Sequence, residues 1–259
     1  MPPGSVMFVH AHPDDESLWT GGTIARLADA GVAVSTLCCT WAEGTKRHAE
    51  LQRALATLGA PPAAALGYAD GAYPDSAPGA PRLCDADFDG AVAQVTAHIR
   101  ADRPDAVVTY DAYGVYGHPD HIHTNRITLA AVDAAATSSI YPDAGPAWQV
   151  RSVYFTTVPT STMDAIGRRI GTADDAPPAG TPNDEIDLTV DVADWVDRKW
   201  TAINEHRSEM DRSTALKALL ALDEDTRRRL LRVEYYLRRD LVQGGCPLLP
   251  DAREQVIPR

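Results

Sequence analysis

The chain has 259 residues, enough for one α/β domain with a full core, and its 44% hydrophobic and 23% charged residues are typical of globular proteins. The 36 acidic residues outnumber the 24 basic ones, and the net charge of −12 argues against nucleic acid or anionic membranes as partners. No apolar run approaches the roughly 18 residues of a membrane span.

Apolar runs of strand length alternate with amphipathic runs of helix length through the first two thirds of the chain. Strands are predicted at residues 6–10, 32–39, 63–66, 106–110 and 153–158, and helices at 18–30, 46–58, 88–101 and 121–136. Alternation of this kind predicts an α/β fold whose Rossmann-like, mostly parallel sheet carries helices on both faces.

Two segments rich in proline, glycine and aspartate, 71–81 and 174–184, are predicted to be surface loops. The second separates an α/β core of about residues 1–173 from a C-terminal part of about residues 184–259. That part is predicted to contain a strand at 186–192 and helices at 193–210, 214–221 and 223–241. We interpret the whole of 1–259 as a single domain.

Residues 10–16, His-Ala-His-Pro-Asp-Asp-Glu, place two imidazoles and three carboxylates between the first strand and the first helix. Like charges this close repel one another, and a bound cation is the simplest physical remedy. His12 and Asp15 are three residues apart, so a strand-to-helix turn can direct both at one point as a divalent-metal pair. The alternative is an exposed acidic loop in which Asp15 or Glu16 caps the following helix.

Residues 116–121, Tyr-Gly-His-Pro-Asp-His, repeat this pattern after the predicted strand 106–110. His118 and His121 are again three residues apart, with Asp120 between them, and a helix follows. Ligands of open α/β sheets bind beyond the carboxyl ends of the strands, where the strand order reverses. The two loops therefore predict one shared site.

The AHPDDE motif near the N-terminus, together with GHPDH further along, resembles the PIG-L/LmbE family of zinc-dependent N-acetylglucosaminyl deacetylases. The likeness covers most of residues 5–210. It implies a hydrolase that removes the acetyl group from an N-acetylglucosamine-type sugar or sugar conjugate. Family members include the mycothiol-precursor deacetylase, amidases of mycothiol conjugates and antibiotic-tailoring deacetylases, and the sequence leaves the choice among these substrates open.

The resemblance also implies a role for each residue of the two motifs. Asp14 corresponds to the general base, which takes a proton from water and returns it to the leaving amine. A protonated His118 corresponds to the group that stabilises the oxyanion, with Asp120 as its orienting partner. By motif position, three residues are the ligands of one zinc ion per chain, with Fe(II) or another divalent ion as alternatives: His12, Asp15 and His121.

Four further residues are matched to the substrate. Tyr116 matches a mobile tyrosine of the mycothiol-precursor deacetylase, and Arg47 matches a substrate-binding arginine. Asp70 matches an acidic residue that holds sugar hydroxyls, while Trp19 is expected at the entrance of the site, where a pyranose can stack. Each of the last three has a structural alternative: Arg47 paired with Glu50, Asp70 as the cap of a turn, and Trp19 in the core.

Two other classes of protein fit parts of the pattern. Two histidines and one carboxylate also suit the Fe(II) of a non-haem oxygenase, but such an enzyme has no need of a proton-transferring pair like Asp14 and His118. A nucleotide-binding module is disfavoured, because Gly21-Gly22 is not a GxGxxG motif and no P-loop occurs.

The location and partners are inferred from simpler features. Residues 1–10 have neither the basic start nor the long apolar run of a secretory signal. The four cysteines form no CxxC pair, so neither a zinc ribbon nor a disulfide framework is expected: Cys38, Cys39, Cys84 and Cys246. We expect a cytoplasmic enzyme with a small amino-sugar substrate. The sequence is compatible with a monomer and with a homo-oligomer.

Overall fold

The computed structural model describes residues 2–163 and 180–250. Its centre is a seven-stranded sheet in the order β3-β2-β1-β4-β5-β7-β6. All neighbouring strands pair in parallel except β7, which is antiparallel to both β5 and β6. The strands are β1 (Ser5–His10), β2 (Ala33–Thr40), β3 (Ala64–Tyr68), β4 (Ala106–Tyr110), β5 (Ser152–Thr157), β6 (Leu188–Asp191) and β7 (Val233–Asp240).

Helices connect the strands and cover both faces of the sheet, which confirms the predicted fold class. Within the described residues, none of the helices is long and apolar enough to cross a membrane. The helices are α1 (Asp15–Asp29), α2 (Lys46–Leu58), α3 (Phe88–Asp102), α4 (Gly114–Gly117), α5 (Pro119–Ala136), α6 (Val196–Glu205), α7 (Arg207–Met210), α8 (Thr214–Leu220) and α9 (Glu224–Leu231).

The central strand β1 shows why both faces are covered. Its side chains alternate between two buried clusters, with Val6 and Phe8 in one and Met7 and Val9 in the other. The first cluster includes apolar residues of α1, α2 and α6, and the second includes those of α3 and α5. A strand buried on both faces has a continuous apolar sequence, as expected for a parallel sheet between two helical layers.

The last predicted helix, 223–241, is wrong beyond Leu231. The chain leaves α9 there and forms β7, which enters the sheet between β5 and β6. The helical expectation came from an arginine- and leucine-rich run, and Asp223 does cap α9 by accepting from the Thr226 amide at 2.8 Å. Pairing of 233–240 with β5 overrides that local preference.

A buried carboxylate in β7 explains the stability of this pairing. Glu234 is 3% exposed and accepts hydrogen bonds from the amides of Gly22 and Thr23 in α1, at 2.8 and 2.9 Å. Lys199 of α6 donates to the same carboxylate at 2.6 Å. These hydrogen bonds offset the desolvation cost of burying both charges, and they join β7 to α1 and α6.

The remaining predicted elements agree with the structure to within a few residues, except that a break at His206 divides the predicted helix 193–210. The predicted loop 174–184 lies largely outside the described residues. The chain runs outward from β1 to β2 and β3 on one side of the sheet, and continues from β4 to β5 on the other. The strand order therefore reverses between β1 and β4, whose following loops carry the two His/Asp motifs.

Candidate metal centre

Three nitrogen and oxygen atoms from the two motif loops meet at one point. The His12 Nδ1 atom lies 3.2 Å from His121 Nε2 and 3.3 Å from Asp15 Oδ2. The third side of this triangle, from His121 Nε2 to Asp15 Oδ2, measures 3.4 Å. A tetrahedral zinc ion with bonds of about 2.0–2.1 Å holds its donors roughly 3.3 Å apart, so these residues fit a divalent metal.

The surroundings fix the direction of each donor. The Nδ1 atom of His121 lies 3.2 Å from the Gly114 carbonyl, which assigns the proton to that nitrogen and leaves Nε2 as a donor to a metal. Asp15 accepts from the Tyr110 hydroxyl at 2.6 Å through Oδ2 and from the Trp19 indole at 2.9 Å through Oδ1. All three predicted ligands are buried: His12, Asp15 and His121.

The electrostatics of the site also favour a cation. Burial lowers the pKa of the His12 imidazole, but hydrogen bonds with Asp120 and Asp15 outweigh that effect and raise the pKa to about 10. The raised pKa means that the protonated form of His12 is favoured, which indicates an excess of negative potential at this point. A divalent ion bound beside Asp15 meets that demand.

A wider set of donors lies around the triangle. His12, His118 and His121 offer atoms that lie within 4.8 Å of one another, and so do His12, Asp70, His118 and Asp120. The three distances of the triangle with Asp15 match tetrahedral coordination, whereas 4.8 Å is only an upper limit for the wider sets.

Asp120 has a different partner from the one predicted. Its Oδ2 atom lies 3.0 Å from His12 Nε2 and accepts from the Gly71 amide at 2.7 Å. The carboxylate thus orients His12, a predicted ligand, in the way that carboxylates orient metal-binding histidines, and it does not bond the ring of His118. The cause is local: Asp120 is the second residue of α5, and its side chain turns back toward the loop after β1.

The surroundings of His118 in the structure favour its neutral form, whereas the resemblance implies a protonated ring. Its Nδ1 atom accepts from the Asp120 backbone amide at 3.2 Å, so that nitrogen carries a lone pair and the proton is on Nε2. Burial and the neighbouring His12 and His121 rings lower the pKa of His118 to about 4. Both the contact at Nδ1 and the lowered pKa favour a neutral imidazole with its proton on Nε2.

Asp14 lies beside the triangle in an unusual backbone conformation. Its φ of 131° and ψ of −25° fall in a region that residues other than glycine rarely adopt. Burial raises the pKa of Asp14 to about 7, and this effect outweighs the opposing charge of Arg47. A carboxyl group with this pKa can accept and release a proton near neutral pH.

Arg47 pairs with Asp14 and Glu209 rather than with Glu50, which was the structural alternative. It is 4% exposed, and its guanidinium donates to Asp14 Oδ1 and to Glu209 Oε2, each at 2.9 Å. The same group also donates to the Pro13 carbonyl. Arg47 therefore holds the Asp14 carboxylate from inside the protein.

Asp70 and Trp19 each have features of both the functional and the structural interpretation. Asp70 Oδ1 caps the turn by accepting from the Ala72 amide at 2.8 Å, while Oδ2 lies 3.8 Å from His12 Nε2. The Asp70 carboxylate therefore borders the site. The Trp19 ring packs against the hydrophobic core and lies 6.2 Å from the half-exposed Tyr116 ring.

Tyr116 stands on a strained turn between β4 and α5. Val115 before it has φ 65°, and the flanking Gly114 and Gly117 have φ 69° and 89°. At Gly114 a Cβ atom would lie 2.7 Å from the Cβ of His121, so this close approach to a predicted ligand requires glycine. The Tyr116 ring centroid lies 5.2 Å from that of His121.

Two aromatic residues of the site were not predicted from the sequence. Tyr110, the last residue of β4, stacks on the His121 ring at 4.1 Å in addition to binding Asp15. Trp41, directly after β2, donates to Asp70 Oδ2 at 3.1 Å. The Arg47 guanidinium lies over the Trp41 ring, 4.8 Å from the ring centroid. Tyr110 ends an apolar strand at the carboxyl edge of the sheet and Trp41 follows one, and that position was the available signal.

Known de-N-acetylases are similar to this chain in sequence. The family model PIG-L, described as GlcNAc-PI de-N-acetylase, matches residues 7–132. The 1D-myo-inositol 2-acetamido-2-deoxy-alpha-D-glucopyranoside deacetylase of Rhodococcus opacus is 38% identical over 273 residues, covering 93% of this chain and 92% of the relative.

Solved structures with a similar fold include enzymes of different chemistry. N,N'-diacetylchitobiose deacetylase from Pyrococcus horikoshii has a TM-score of 0.64 at 18% identity, covering 92% of this chain and 84% of that one. A 4-carboxy-2-hydroxymuconate hydratase from Pseudomonas putida has a TM-score of 0.57 at 18% identity, covering 92% and 96%. Because a hydratase shares the fold, these structures establish the architecture alone.

Proposed function

Because the chain belongs to the PIG-L family of de-N-acetylases, we propose that it hydrolyses the acetamide of an N-acetylglucosamine unit in a small sugar conjugate. The observation that supports this proposal most is the joint placement of a triangle of metal donors and a carboxyl group with a pKa of about 7. Hydrolysis of an unactivated amide needs both a Lewis acid and a group that moves protons.

We propose zinc as the ion held by His12, Asp15 and His121. When bound there, zinc polarises a carbonyl group and makes water acidic enough to lose a proton near neutral pH. Asp120 holds the His12 ring from its Nε2 side, and Trp19 holds the outer oxygen of Asp15. These two contacts keep the ligands in place before any substrate arrives.

Asp14 is the proposed general base. Its Oδ1 atom is engaged by Arg47 at 2.9 Å, so Oδ2 is the oxygen that receives the proton of the attacking water. Asp14 then returns this proton to the amine nitrogen as the carbon–nitrogen bond breaks, which releases acetate and the free amino sugar. A pKa of about 7 suits both transfers, because the group loses and regains its proton at the same pH.

Neutral His118 is the proposed oxyanion donor. Its Nε2–H donates to the acetyl carbonyl oxygen as negative charge develops on that oxygen. One such donor contributes roughly 2.7–4 kcal/mol in comparable sites. Because the Asp120 amide occupies Nδ1, the imidazole ring cannot rotate freely, and the donor keeps its direction.

The substrate we propose is an N-acetylglucosamine linked to inositol. The relative from Rhodococcus opacus carries this specificity in its name, and it aligns along nearly the whole length of both chains. A panel of N-acetylated sugars tests the proposal by measuring release of primary amine and acetate. We expect the inositol conjugate to give the highest kcat/KM, ahead of free N-acetylglucosamine, and no turnover of any sugar would contradict the proposal.

Asp70 is expected to bind the sugar hydroxyls, and Asp70→Ala to lower kcat/KM by about tenfold or more. A charge-assisted hydrogen bond to a hydroxyl contributes about 1.5–3 kcal/mol, which corresponds to this loss. Trp41→Phe is the matched control, because it removes the indole donor to Asp70 Oδ2 while keeping the carboxylate. If both variants lose kcat/KM equally, Asp70 acts only as an anchor for Trp41.

A further inference from the structure

The short segment His206–Glu209 joins the C-terminal part of the chain to the site. It begins at the break between α6 and α7, where His206 has φ −81° and ψ 52°. Three of its four residues bond a charged group of α1 or α2. We call this segment the brace.

The first arm of the brace acts on the backbone of Asp14. His206 Nε2 lies 2.7 Å from Glu16 Oε1, and both residues are fully buried. The other oxygen of Glu16, Oε2, accepts from the Asp14 backbone amide at 3.0 Å. His206 therefore fixes the carboxylate that binds the strained residue at the start of α1.

The second arm acts on the side chain of the same residue. Glu209 Oε2 accepts from Arg47 Nη1 at 2.9 Å, and Arg47 Nη2 donates to Asp14 Oδ1 at 2.9 Å. Between the arms, the Ser208 amide donates to Glu50 Oε1 of α2 at 3.2 Å, which docks the brace beside Arg47.

We propose that the brace positions Asp14, with His206 acting through Glu16 on its backbone and Glu209 acting through Arg47 on its carboxylate. A conformation with φ 131° costs free energy, so it persists only where surrounding contacts impose it. The two arms supply such contacts at both ends of the residue. This inference rests on the proposed function, in which Asp14 is the general base.

A matched pair of carboxylates tests the proposal. Glu209 and Glu205 each pair with an arginine of α2, at 2.9 Å in both cases, but only the arginine of Glu209 touches Asp14. Because His206 is fully buried, its replacement risks unfolding the protein, and the test therefore uses variants of Glu209. We expect Glu209→Ala to lower kcat at least tenfold with KM and metal content unchanged, and Glu205→Ala to change kcat less than twofold.

Two further variants separate positioning from general stability. Glu209→Gln keeps an oxygen for Arg47 and is expected to retain more kcat than Glu209→Ala. In an Asp14→Asn background, Glu209→Ala is expected to change the residual kcat less than twofold, because a residue that acts through Asp14 has nothing left to position.

The failures of the two proposals are distinguishable. An active parent enzyme in which Glu209→Ala and Glu205→Ala behave alike overturns the brace and leaves the deacetylase function standing. An equal loss from Glu209→Ala with and without Asp14 also overturns it. A parent that carries metal but releases no acetate from any N-acetylated sugar overturns the proposed function, and with it this inference.

Discussion

Replacing His121 by alanine is expected to reduce the metal content of the purified protein to less than about a tenth of one ion per chain. The three donor atoms lie 3.2–3.4 Å apart, and two of those three distances involve His121 Nε2. Loss of one of three protein ligands leaves two donors, one fewer than the three that hold zinc in catalytic sites. Elemental analysis after dialysis measures the occupancy directly.

His123 supplies the control on the same helix. It lies two residues further along α5, and its ring contacts Phe88 edge-on at 5.8 Å, away from the donor triangle. His123→Ala should keep full metal content. His121→Gln serves as a second variant, since it fills most of the volume beside Tyr110, and full occupancy in both His121 variants would contradict the ligand assignment.

Asp14→Asn is expected to lower kcat by a hundredfold or more while the metal content stays at one ion per chain. An amide cannot accept the proton of the attacking water, and a positioned base typically contributes 10²–10⁴-fold. Asparagine also tolerates positive φ better than most residues and still offers an oxygen to Arg47, so the loop is expected to keep its shape. Steady-state kinetics with metal-loaded protein gives the comparison.

Near-normal kcat in that variant would remove Asp14 from proton transfer. Asp15→Asn is the informative contrast, because it changes the adjacent carboxylate, whose Oδ2 belongs to the donor triangle. That variant is expected to lose metal together with activity. Separate outcomes for two neighbouring aspartates would distinguish a base from a ligand.

The location of the site could be predicted from the sequence because it depends on local patterns. An apolar run followed by a His/Asp loop marks the carboxyl end of a strand, and two such loops meet where the strand order reverses. The structure brings the loops after β1 and β4 together as expected. The choice of His121 rather than His118 as the third proposed ligand came from the family resemblance and not from these local patterns.

The partners of the other side chains could not be predicted, because they depend on residues far apart in the chain. Asp120 adjoins His118 in sequence but binds His12, 108 residues earlier. His206 binds Glu16 across 190 residues. The strand β7 was missed for the same reason, since its pairing with β5 and the buried bonds of Glu234 arise only in the assembled fold.

The position of β7 has a consequence for synthesis on the ribosome. Residues 152–157 emerge about eighty residues before their neighbour in the sheet, since Ser152 pairs with Asp240 and Thr157 with Tyr235. Strand β6 also pairs with β7, so until then both strands have backbone groups that lack their final partner. Nascent chains that stall before residue 233 are expected to present this unpaired edge to chaperones and to one another, and only translation through residue 240 closes it.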